Sequence, residues 1–123
     1  MIETNLCTFE KLDDGIILQR YKFPCHVDLE VAKTGLAAIK SLAEKQPVLL
    51  CADITFVKGA SVEARALGAS EDFFDVIRAI GMATDSKVAR VVGNFFVRFN
   101  RPRYPSKLFN TEELAQQWLR SLR

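Results

Sequence analysis

Ser86–Phe109, SKVARVVGNFFVRFNRPRYPSKLF, is the stretch from which the fold is read. Its first half is an amphipathic helix. Val88, Val91, Val92, Phe95, Phe96 and Phe99 recur at helical spacing, with Lys87, Arg90, Asn94 and Arg98 mostly off that stripe. A phenylalanine-rich stripe of this period reads first as the buried face of a helix. Asn100-Arg101-Pro102 stops it, because proline cannot continue a helix. Lys107–Phe109 then follows as a short edge strand.

Working upstream, Pro47–Ile54 (PVLLCADI) is apolar at consecutive positions and reads as a central strand buried on both faces, with Asp53 near its C-terminal end. Before it, Asp28 is placed to cap a helix in which Leu29, Ala32, Leu36, Ile39, Leu42 and Ala43 repeat at helical spacing. Gly35 inside that helix costs up to about 1 kcal/mol relative to alanine, so it marks either close packing or a weak point. Asn5–Lys11 and Gly15–Phe23 read as a hairpin joined at Asp13-Asp14-Gly15. After the central strand, Thr55–Ala60 reads as a turn and Ser61 as the N-cap of a short helix from Val62 to about Ser70. Val76–Ala83 is open between helix and strand, and its β-branched residues favour strand. Thr111 caps a last helix with Leu114, Ala115, Trp118, Leu119 and Leu122 on its apolar face. The order is ββαβαβαβα, which predicts one α/β domain over residues 1–123 with a mixed, mostly parallel sheet.

Six cations, Lys87, Arg90, Arg98, Arg101, Arg103 and Lys107, lie in residues 86–111 without a single acid. Everything before them is net acidic, so the overall charge of +2 conceals a positive pole. Arg98, Arg101, Arg103 and Lys107 surround Tyr104 and are the candidates for holding an anion. The small net charge argues against nucleic acid as the partner. No apolar run approaches the ~20 residues of a membrane-spanning helix, and no secretory pattern opens the chain, so a cytoplasmic protein is expected. Cys7, Cys25 and Cys51 are odd in number and without C-x-x-C spacing, so they read as reduced, mostly buried thiols.

The second half resembles the small SpoIIAA-like, or STAS-like, domains, and in particular their short stand-alone bacterial branch of unknown function. The residues that carry the resemblance are Asp53, Ala64-Arg65, Ser86-Lys87-Val88-Ala89, Gly93-Asn94-Phe95-Phe96, Asn100-Arg101-Pro102, Pro105, Lys107-Leu108-Phe109, Ala115 and Trp118-Leu119. The resemblance implies a βα superhelix with helices packed on one face of the sheet. The better-studied relatives, the anti-sigma-factor antagonists, are not enzymes. They bind a partner kinase, and phosphorylation of a serine after the central strand controls that binding. Ser61 is the residue this resemblance carries over, with Asp53 beside it at the strand end. The relatives have an Asp-Ser-Ser-Gly type sequence there, whereas this chain has Gly59-Ala60-Ser61-Val62.

No Ser/His/Asp set, carboxylate pair, glycine-rich phosphate loop or metal-ligand spacing is present, so neither catalysis nor a cofactor or metal is expected. Cys25 and His26 are adjacent, and neighbours in an extended chain point apart. The leading expectation is a non-enzymatic interaction or regulatory module that offers Ser61 and Asp53 to a protein partner. The alternative is a binder of a small apolar or anionic molecule, held between the phenylalanine-rich helix and the sheet. Exposed edge strands make a homodimer a further expectation.

Overall fold

In the computed structural model, which describes residues 1–123, the chain starts with three antiparallel strands, β1 (Ile2–Glu3), β2 (Cys7–Lys11) and β3 (Ile17–Tyr21). Gly15, at φ 89°, makes the β2–β3 turn possible. A short strand β4 (Cys25–Val27) leads into α1 (Leu29–Ala43), whose first turn is capped by Asp28 accepting from the Val31 N–H at 2.9 Å. Next come β5 (Val48–Asp53), β6 (Val57–Ala60), α2 (Val62–Gly68), α3 (Glu71–Phe74) and β7 (Ile77–Ala83). The chain closes with α4 (Lys87–Phe95), a π-helical turn (Phe96–Asn100), β8 (Ser106–Phe109) and α5 (Glu112–Ser121).

The main sheet runs β1-β2-β3-β5-β7-β8, with β3, β5, β7 and β8 parallel to one another. Of Val76–Ala83, Ile77–Ala83 is strand, and the predicted α/β order holds with additions. The expected turn at Thr55–Ala60 contains β6, which pairs in parallel with β4 as a separate two-stranded sheet. Glu71–Phe74 forms the single turn of α3.

One expectation needs correction. Each parallel strand is added on the same side of its predecessor, and right-handed crossovers then place every connecting helix on one face. That face holds α1, α2, α3 and α4, over Ile17, Leu50, Ala52, Ile80 and Met82. Helix α5, however, follows the last strand and is not a crossover. It covers the opposite face, where Ala115 and Leu119 bury against Ile16, Leu18, Leu49, Cys51, Ala79 and Ala83. The helices therefore sit on both faces. The reason lies in β5, whose side chains are buried on both sides from Val48 to Ala52.

Candidate functional site

The helix-rich face encloses an apolar cavity of about 150 Å³. Its floor is sheet, including Leu50, Ala52, Ile80 and Met82. Its walls are α1, α2, α4 and the first π-helical residue, Phe96. The space exists because small residues face it from two helices: Ala32 and Gly35 on α1, Ala64 on α2. A Cβ added at Gly35 would find its nearest neighbour, Phe9, at 3.7 Å, an ordinary contact. Gly35 is thus a gap in the wall and not a point of close packing. Val31, Ala60 and Arg65 line the cavity and are only partly buried, so it opens to solvent beside them.

Polar groups on the walls are few and mostly engaged. The Tyr104 hydroxyl donates to the Gly68 carbonyl at 2.6 Å. The Gln19 amide donates to the Cys7 sulfur at 3.6 Å. Burial pushes the Cys7 thiol up to about 11 and raises both Tyr21 and Tyr104, so all three stay protonated at neutral pH. A protonated thiol or phenol is a poor nucleophile.

Arg65 differs from these. Its Nε donates to the Ala60 carbonyl at 3.4 Å and its Nη1 to Asn100 Oδ1 at 3.1 Å, while the guanidinium lies 4.5 Å from the centroid of the Phe95 ring. Every ion pair in the molecule lies elsewhere, so this cation is held in place without a carboxylate partner. Ala64-Arg65 figures in the sequence only as part of a resemblance. Its neighbours Asn100 and Phe95 lie 35 and 30 positions away, so no local pattern could have revealed the clamp.

The residues expected to act together are spread apart. Ser61 caps α2, its Oγ accepting from the Ala64 N–H at 3.0 Å. Asp53 points to the other face of the sheet, in alternation with Leu49 and Cys51, where it meets Glu112 at the start of α5. Glu112 in turn takes a two-pronged contact from Arg20, at 2.9 and 2.7 Å. Burial and the neighbouring Glu112 raise Asp53 above the usual carboxylate range, whereas Arg20 holds Glu112 below it. The four anion candidates do not converge either. Arg103 pairs with Glu71 at 3.6 Å, Lys107 lies over the Trp118 ring on the α5 face, and Arg101 bonds back to the Arg98 carbonyl. Cys25 and His26 sit consecutively on β4, the His26 ring lying against Gly59, where an added Cβ would come within 2.7 Å of Nδ1.

The apolar stripe of α4 is the second correction. Only part of it is buried. The helix meets the core through Ala89 and Gly93, and a Cβ on Gly93 would lie 3.0 Å from Leu108 and 3.1 Å from Ile54. Val92 and Phe96 line the cavity, while Val91 (68% exposed), Phe95 (41%) and Phe99 (69%) face solvent. The last two stack at 4.4 Å between ring centroids. Close approach through small residues sets the contact line, and the larger apolar side chains are left flanking it.

No helix is long and apolar enough to cross a membrane. No curated protein matches the chain. A solved structure of an uncharacterised protein of the DUF3478 family from Shewanella loihica PV-4, described as having a SpoIIAA-like fold, is similar over 97% of this chain and 99% of that one. The TM-score is 0.63 at 17% sequence identity, so the likeness is one of fold. The model of a family described as a domain of unknown function, DUF7793, matches residues 10–123, and the chain belongs to that family.

Proposed function

We propose that this DUF7793 domain is a non-enzymatic binding module that takes up a compact apolar small molecule between its crossover helices and its sheet. The single observation that supports this reading is the cavity of about 150 Å³ with walls mainly of carbon. A cavity of roughly this size with aliphatic and aromatic walls takes up benzene or xenon in a protein interior. A wall hydroxyl that is buried, protonated and hydrogen-bonded, as Tyr104 is, suits a receptor better than a reaction centre. Amide spectra recorded during a benzene titration test the reading. Saturable shifts should concentrate at Gly35, Ala64, Gly68 and Gly93. Shifts confined to α5, or none at saturating benzene, contradict it.

A second reading, docking of a protein partner, draws support from the solvent-facing Phe95–Phe99 stack flanked by Val91. This aromatic face is a better docking surface than Ser61 and Asp53, which look out from opposite sides of the sheet. Phe99→Ser should abolish any specific partner complex or self-association while leaving the fold intact. An unchanged complex removes the face from consideration.

A further inference from the structure

We infer that the ligand of the cavity is a monocarboxylate with an apolar body of about six carbons, its carboxylate gripped by Arg65; this rests on the cavity being a binding site. The size of the body follows from the volume, which matches a benzene-sized guest. The head group follows from Arg65. A guanidinium carries five N–H donors, and two of its nitrogens each spend one on protein oxygens, the Ala60 carbonyl and Asn100 Oδ1. Nη2 keeps both of its hydrogens without a protein acceptor, and no carboxylate lies within ion-pair distance.

The two hydrogen bonds and the Phe95 ring beneath fix the plane of the fork, so little side-chain entropy remains to be lost when an anion docks. Arg65 also lines the cavity while being only partly buried. An anion there can keep some hydration while its apolar body leaves water. The cavity lining carries no cation other than Arg65. Arg103 is taken by Glu71, Lys107 lies over Trp118, and Arg101 bonds back toward Arg98, so Arg65 is the cation clamped at the cavity wall. One planar fork suits one planar carboxylate better than a phosphate dianion, which draws several cations.

Isothermal titration with phenylacetate and its neutral isostere phenylacetamide, on the natural chain and on Arg65→Met, tests the inference. The natural chain should bind phenylacetate about 10- to 100-fold more tightly than phenylacetamide, and Arg65→Met should erase that preference while retaining phenylacetamide. Equal affinity of the natural chain for the two probes overturns the carboxylate assignment but leaves the cavity as a binding site. A preference that survives in Arg65→Met overturns Arg65 as the anchor. Failure of the natural chain to bind either probe overturns both readings. The comparison on the natural chain decides the head group even if the variant does not fold.

Discussion

The two faces of the sheet are packed to different ends. On the α5 face, small residues bring helix and strand together until little space is left. A Cβ on Gly81 would lie 3.1 Å from the Ala115 Cβ and 3.3 Å from its carbonyl oxygen. On the face of α1, α2 and α4, Gly93 packs just as closely, and a Cβ on Gly68 would lie 3.1 Å from the Phe96 ring, yet Gly35 borders open space. Gly81 and Gly35 therefore have opposite meanings. Opposite α5 Gly81 permits contact, and on α1 Gly35 withholds it.

The most severe test of this contrast is Leu119→Ala, which hollows the α5 face at a fully buried position. It should cost about 3 kcal/mol in urea denaturation. A loss under about 1 kcal/mol would mean that the α5 face is loosely packed after all. Next is a paired glycine experiment. Gly81→Ala should destabilise by about 1–2 kcal/mol, since the Ala115 backbone cannot yield easily. Gly35→Ala should stabilise by up to about 1 kcal/mol, through helix propensity and an unstrained Cβ. Effects of the same sign would erase the distinction between the faces. Ser61→Ala should cost about 1 kcal/mol through the lost cap of α2, measured by thermal melting.

The smallest effect concerns the rim of the α5 face. Asp53 is raised in the folded state by burial and by Glu112, so its ionised form subtracts stability at neutral pH. That subtraction is relieved as pH falls through its folded pKa. Glu112 has the opposite sign. Held low by Arg20, it adds stability that is full above its ordinary value of 4.5 and is lost as pH falls through its folded pKa. Asp53→Asn keeps the shape and an acceptor for the Thr55 N–H. The variant should melt slightly above the natural chain at pH 7, and the gap should close by the ordinary aspartate value of 3.8. A gap that widens on acidification would reverse the assignment.

How far the sequence carries depends on the kind of information each feature needs. The run from Val48 to Ala52 announces a strand covered on both sides, and from it the two-faced sheet follows. The same run argues against the helices-on-one-face expectation, which came from a family resemblance and holds only for the crossover helices. β6 escaped notice because Val57–Ala60 is four residues long and its partner Cys25–Val27 is three, too short for any period to register. The α4 stripe misled because periodicity tells which side chains lie on one flank of a helix. It does not tell that Ala89 and Gly93, by approaching closest, leave Phe95 and Phe99 outside. The cavity is the least legible feature, being made of side-chain volume that is missing from two helices at once. Gly35 was visible only as a cost in helix propensity.

A crystal structure of the protein under xenon pressure addresses the central claim most directly, because xenon reports apolar space without needing a head group. Xenon should sit between Gly35 of α1, Ala64 of α2 and the floor at Leu50 and Ile80, and nowhere beneath α5. Xenon under α5, or none behind α1, would contradict the account.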